Sequence, residues 1–110
     1  MTGAKRCGCF AHVRRKFADA LPTDPKLAPS STAITGVEYC NKLFALEREF
    51  EDLIPEERQK KRQEESKPVL DEFFAWANSI ELSGKTALAK AVQYLKNEKR
   101  YLYTFLEDGN

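Results

Sequence analysis

Apolar residues recur every three or four positions along most of the 110-residue chain. This spacing places them on one side of an α-helix. The chain has no sustained alternation of apolar and polar residues, no hairpin turn signal and no internal repeat, so the pattern disfavours β structure. We therefore predict an all-α fold, a small bundle of four to five helices forming a single helical domain over residues 1–110.

The N-terminal part predicts a basic helix over residues 10–21. Its apolar residues share one face, and they are Phe10, Val13, Phe17, Ala20 and Leu21. Residues 5–9 (KRCGC) precede this pattern and are too short to assign by periodicity, although they are compatible with a short strand. The charged residues of the segment fall outside the apolar face, so we expect them to be accessible to solvent.

The rest of the helical region is predicted over residues 31–107. Ser31 or Thr32 suits the cap of a helix N-terminus, because a hydroxyl oxygen accepts hydrogen bonds from the amides of the first turn. Pro55 suits the first position of a later helix, where a missing amide costs nothing. An interruption is expected near Glu98, where the last apolar pattern breaks.

One stretch of this region is polar on every side. Residues 56–67 contain no apolar residue, and a helix without an apolar face has nothing to bury. We therefore expect this stretch to project into water or to meet a polar partner. Pro68 follows it and lacks an amide donor, so a kink or a break is expected there.

Charge is distributed unevenly along the chain. The net charge is only +1, yet residues 1–17 carry five basic residues and no acid, and the remainder has a net charge of −4. A basic end on an acidic body predicts one locally positive surface, of the kind that meets phosphates or an acidic protein.

The cellular context follows from the cysteines and the hydropathy. Three cysteines are an odd number, and no apolar run follows the first residues as it would in a targeting segment. We therefore expect free thiols and a cytoplasmic location. No apolar run approaches the roughly 18 to 20 residues that cross a bilayer, so no membrane association is predicted.

The stretch CGCFAHVRRKF, residues 7–17, concentrates reactive side chains. Cys7, Cys9 and His12 are three candidate metal ligands, and Cys40 is a candidate fourth. However, structural zinc sites usually space two cysteines by two to four residues, which favours buried thiols over a metal site. A cysteine nucleophile with a histidine base is weaker still, because no group that would orient the histidine can be identified.

The cations of the same stretch have two interpretations. Arg14, Arg15 and Lys16 suit contacts to phosphate oxygens, which depend on charge and reach. They equally suit the solvated face of an amphipathic helix, and the residues alone leave both open. The carboxylates occur in helical charge runs and no glycine-rich phosphate loop is present, so neither a catalytic site nor a metal site is predicted.

Several motifs together carry a resemblance to a known family. GCFAHVRRKF, PEER, RQE, KPVLDEF and LAKA occur in this order between Arg6 and Gly109. The chain thereby resembles bacterial transposases of the insertion sequence 66 family, whose corresponding first stretch reads GCWAHARRKF. The likeness covers nearly the whole chain.

The resemblance implies a parent enzyme of the DDE type. In such enzymes three carboxylates on a ribonuclease-H-like fold hold two divalent metal ions, here expected to be Mg²⁺, for DNA strand cleavage and transfer. By resemblance this chain is the helical region between the second aspartate and the glutamate. It would then lack all three carboxylates, bind no cofactor itself and be inactive alone.

The resemblance also assigns roles to individual residues. Cys9 and His12 match a C-x-x-H signature that lies beside the active site of the parent enzyme. Arg14, Arg15 and Lys16 match the basic run that follows it, which implies contact with DNA. Residues 5–9 would be the end of a strand from the catalytic sheet.

Two further expectations remain. At Ile54 the family usually has Ser or Thr, so this chain gives up about 0.5 to 2 kcal/mol of helix capping. The alternative function is a non-enzymatic helical module that binds a partner protein through residues 56–67. Surface left uncovered without the catalytic fold would favour a homo-oligomer.

Overall fold

A computed structural model describes residues 2–22, 26, 31–80 and 86–107, with side chains from Phe10 onward. Its helices are α1 (Thr2–Asp19), α2 (Thr32–Phe50), α3 (Pro55–Lys61), a π-helical turn (Arg62–Ser66, the π turn), α4 (Lys67–Ser79), α5 (Ala87–Asn97) and α6 (Lys99–Glu107). No strand occurs in these ranges, which confirms the all-α prediction. Because α3, the π turn and α4 are continuous, the described residues form five helical rods.

Helix α1 lies at the centre of the bundle and packs against α2, α5 and α6. Its apolar face is buried, as the spacing predicted. The ring of Phe10 meets Phe105 of α6 edge-on, with 5.5 Å between centroids, and the ring of Phe17 lies 5.6 Å from Phe73 of α4. The inner side of α1 therefore belongs to the core, and its outer side faces solvent.

The strand considered for residues 5–9 is absent, because α1 begins at Thr2 and runs through them. A strand must pair its amide and carbonyl groups with a neighbouring strand. The described part of the chain contains no such neighbour, and a helix pairs the same groups locally. The basic helix predicted over residues 10–21 is therefore longer at its start and ends at Asp19.

Helix α2 is capped and closely packed at its first turns. Ser31 is its N-terminal cap, and its hydroxyl oxygen accepts a hydrogen bond of 3.2 Å from the amide of Ala33. Gly36 is buried against Phe17, and a Cβ at this position would lie 2.6 Å from Cγ of that ring. Only glycine leaves the aromatic ring room at this crossing of α1 and α2.

The connection from α2 to α3 is held by Arg58. Its guanidinium donates to the carbonyl oxygens of Phe50 at 3.1 Å, Glu51 at 3.0 Å and Leu53 at 2.8 Å. Phe50 is the last residue of α2, where carbonyl oxygens lack partners within the helix, and Glu51 and Leu53 follow it in the connection. Ile54 caps α3 without a side-chain hydrogen bond, and Pro55 occupies the first position, both as predicted.

The polar stretch 56–67 is packed into the bundle, so the expectation that it has nothing to bury is wrong. Arg62 is only 3% exposed, and its Nε and Nη2 lie 2.9 and 2.6 Å from the two carboxylate oxygens of Glu47. Its guanidinium carbon also lies 4.0 Å from the ring centroid of Phe105. The charge can be buried because a carboxylate and an aromatic face receive it.

The interruption expected at Pro68 takes the form of the π turn. The amide of Lys67 donates to the carbonyl of Arg62, five residues earlier, in place of the usual four. Pro68 lies in the first turn of α4, just after the π turn, where its missing amide needs no partner. Within the π turn, Gln63 Nε2 donates to the carbonyl of Leu106 at 2.8 Å and so ties this segment to the end of α6.

The second half of the chain follows its predicted pattern. Thr86 caps α5, its Oγ1 accepting a 3.1 Å hydrogen bond from the amide of Ala89. The expected interruption lies at Glu98, between α5 and α6. Within the described residues, none of the helices combines the length and the apolar character needed to cross a membrane.

Candidate nucleic-acid interface

The outer face of α1 presents the predicted cationic residues to solvent. His12, Arg14, Arg15, Lys16 and Asp19 are all exposed, whereas the apolar residues between them are buried. A helix turns by about 100° per residue, so a buried stripe at every third or fourth position leaves the intervening side chains outside. The amphipathic pattern of the sequence thus fixes the orientation of these charges.

The three consecutive cations point in different directions around α1. Arg14 reaches α2, where its Nε donates to Asn41 Oδ1 at 2.8 Å. Lys16 reaches α5, where its Nζ lies 5.5 Å from the ring centroid of Tyr94. Arg15 lies between them, and its side chain forms no hydrogen bond or ion pair with any residue that the structure describes. The positive surface is therefore broad rather than a single cluster.

The C-x-x-H signature is described only at its histidine. His12 is exposed and precedes Arg15 and Lys16 by about one helical turn, so its imidazole shares the outer face with these cations. The side chains of Cys7 and Cys9 lie outside the described residues. The signature role implied for Cys9 and His12 therefore stays a prediction.

Cys40 is separated from this face. It is fully buried on α2 and has no disulfide partner in the described residues. Burial raises its pKa to about 12, against a smaller opposite effect of the nearby Arg14. Without a metal ion the thiol therefore stays protonated at neutral pH. Cys40 faces the core whereas His12 is exposed on the outer face of α1, so the structure does not bring these two candidate ligands together.

No group of three His, Cys, Asp or Glu side chains in the described residues could hold a metal ion. The divalent ions implied for the parent enzyme require several oxygen ligands around one point. The described donor set does not fit them, and any metal chemistry would depend on residues outside these ranges.

Comparison with known proteins decides the family. The profile of the Transposase IS66 family matches residues 1–110. The chain belongs to this family. The family predicted from the motifs is thereby confirmed.

Relatives of this IS66 family chain occur in Sinorhizobium fredii (strain NBRC 101917 / NGR234). The uncharacterized proteins y4jD and y4hP are 36% and 30% identical to it over 103 and 111 residues, each alignment covering 92% of the chain. The uncharacterized protein y4qI is 33% identical over 104 residues, or 93% of the chain. The chain spans about a fifth of the length of these relatives. No solved structure matches it significantly.

The IS66 family chain is electrostatically divided between its helices. Residues 31–80, which form α2 to α4, contain seven basic and eleven acidic residues, a net charge of −4. Residues 10–19 and 86–107, from α1, α5 and α6, contain seven basic and three acidic residues, a net charge of +4. The sequence pattern predicted a basic N-terminus, but not that α5 and α6 would extend it. The missed signal was an α5 without any acidic residue.

Proposed function

We propose that the chain is the helical part of a transposase catalytic region and that it contacts DNA through the outer face of α1. Membership of the IS66 family supports the transposase role. Strand cleavage and transfer would then depend on carboxylates supplied by the rest of a longer protein. Alone, the chain would bind DNA without cutting it.

The observation that carries the DNA contact is the exposure of Arg14, Arg15 and Lys16 on the central helix of the bundle. Contacts to phosphate oxygens need positive charge within reach and little else. Because the inner face of α1 is packed in the core, these three side chains are attached to a rigid helix backbone. Little ordering of the backbone would be needed on binding.

The placement between the second aspartate and the glutamate is supported by the order of the motifs. In this placement Cys9 and His12 lie beside carboxylates that the rest of the protein supplies. Sequencing the DNA that flanks the gene tests the placement. Coding for DGY upstream and DNNAER downstream, in any frame, is expected, and an intact neighbourhood without either would contradict it.

The alternative of a partner-binding module acting through residues 56–67 has lost its main support. It rested on a helix segment with no buried side, and the structure buries Arg62 and Ser66 of that segment. The exposed remainder, such as the Lys61 and Glu65 pair at 3.6 Å, has the ordinary form of a solvated helix face.

Binding of a short DNA duplex, followed by fluorescence anisotropy at several salt concentrations, tests the DNA contact. The affinity of the unmodified chain should fall steeply with salt. Replacing Arg14, Arg15 and Lys16 together by Ala should lower the slope of log K against log salt by about 2 to 3, since each phosphate contact contributes about 0.9.

A matched variant controls for net charge. Lys42, Arg48 and Lys60 are exposed on the acidic half of the chain. Replacing these three residues together by Ala removes the same charge, but from α2 and α3. This variant should keep the slope of the unmodified chain. Equal effects of the two triple variants, or no binding at low salt, would contradict the proposal.

A further inference from the structure

Helix α5 lies directly beside the cationic face of α1. The two helices pack together, and Lys16 of α1 lies over the ring of Tyr94 of α5, 5.5 Å from its centroid. Lys90 precedes Tyr94 by four residues, which places it one turn away on the same side of α5. Lys90 is exposed. Lys90 therefore lies on the side of α5 that carries the ring contacted by Lys16.

The charges on the described parts of α1 and α5 are almost all positive. Between Ala87 and Asn97, α5 carries two lysines and no acid. In residues 10–19, α1 contributes Arg14, Arg15 and Lys16 against the single acid Asp19. This seam between α1 and α5 is thus complementary to a polyanion.

The second lysine of α5 points elsewhere. Lys96 is also exposed, but it follows Tyr94 by two residues. At about 100° per residue it lies roughly 160° around the helix from the tyrosine ring. It therefore faces away from the seam. Because Lys96, like Lys90, is an exposed lysine of α5, it serves as a matched control.

We propose that Lys90 is a further phosphate-contacting residue, so that the nucleic-acid surface spans α1 and α5 on both sides of Tyr94. The inference rests on the proposed DNA contact of α1. Lysine ammonium groups act as point charges on flexible stems, so Lys16 and Lys90 can meet neighbouring phosphates of one strand without a fixed geometry. The aromatic ring between them favours the position of Lys16 through a cation–π contact.

Single substitutions at the two lysines of α5 test the inference on the same short duplex. Lys90→Ala should lower the slope of log K against log salt by about 0.9, the contribution of one phosphate contact. Lys96→Ala should leave the slope unchanged, and Lys90→Arg should restore it. Circular dichroism and thermal melting should coincide for all four proteins, because both lysines are exposed.

The outcomes separate this inference from the function on which it rests. If the Arg14, Arg15 and Lys16 variant loses salt dependence but Lys90→Ala behaves like Lys96→Ala, the contact is confined to α1 and the inference is overturned. If the unmodified chain does not bind the duplex at low salt, both proposals fail. A slope lowered by Lys90→Ala and recovered by Lys90→Arg supports the two-helix surface.

Discussion

Two highly charged segments of the bundle, α1 and the polar stretch from α3 through the π turn, meet the core in opposite ways. In α1 an apolar stripe is buried and every described cation stays outside. The polar stretch has no apolar residue over positions 56–67, and it enters the core through a charged side chain, Arg62, held by Glu47 and Phe105. Charge density alone therefore does not decide which helix faces water.

The difference has a direct physical cause. An apolar side chain gains free energy wherever it leaves water, so its spacing alone predicts which side of a helix is buried. A charged side chain can be buried only where a specific partner of opposite charge or hydrogen-bonding capacity is in place. For Arg62 that partner is Glu47, fifteen residues earlier on α2. No local sequence pattern predicts this pair.

The largest expected effect comes from breaking the buried pair. Glu47→Ala leaves the guanidinium of Arg62 in the core without its carboxylate. We expect the free energy of unfolding to fall by about 3 to 5 kcal/mol, the usual cost of stranding one partner of a buried pair. Urea denaturation followed by circular dichroism measures it.

A double variant tests whether the loss of stability comes from the unpaired charge of Arg62. Glu47→Leu with Arg62→Met replaces both charges by apolar groups of similar length and should recover most of the lost stability. A cost below about 1 kcal/mol for Glu47→Ala would match a solvent-exposed pair. That result would contradict the contrast drawn above, in which α1 keeps its charges in solvent and the polar stretch buries one.

A smaller effect is expected where α1 enters the core by apolar packing. Gly36→Ala places a Cβ within 2.6 to 2.7 Å of the Phe17 ring atoms Cγ and Cε1. Overpacking should cost about 1 to 3 kcal/mol, although alanine gains up to about 1 kcal/mol over glycine in a helix.

The control for this crossing of α1 and α2 replaces the Phe17 ring by a smaller side chain. In a Phe17→Leu background the same Gly36→Ala change should cost clearly less, since the side chain that it meets is smaller. Thermal melting of the four proteins of this cycle measures the coupling. Equal costs in both backgrounds would show that α1 and α2 do not meet closely at this point.

The smallest effect concerns the start of the polar stretch. Ile54 caps α3 without a side-chain hydrogen bond and is 57% exposed. Ile54→Ser should stabilise the chain by about 0.5 to 1 kcal/mol, because a hydroxyl oxygen can accept from the first amides of α3. Ile54→Ala, which removes the same apolar carbons without adding an acceptor, should bring no gain. Equal stabilities for the two variants would rule out a capping effect.

The sequence allowed the helices and the outer face of α1 to be predicted because both follow from apolar spacing. Ser31, Pro55 and the break at Glu98 were foreseen from local capping and breaker chemistry. The burial of Arg62 was not, because it depends on a distant residue. Residues 5–9 were compatible with a strand only if a partner strand was present.

The candidate surface was also only half predictable. Arg14, Arg15 and Lys16 are consecutive, so their charge is visible in the sequence. Lys90 lies 74 positions after Lys16 in the chain, and only the packing of α1 on α5 brings the two helices that carry these lysines together.

The central claim, that DNA contacts the outer side of α1, is tested most directly by ¹⁵N NMR of the 12.6 kDa chain titrated with a short duplex. The largest amide shift changes are expected in residues 11–19, with further changes around Lys90. Residues 56–65 should change little. Shift changes concentrated in residues 56–65, or none in α1 at saturating duplex, would contradict the claim.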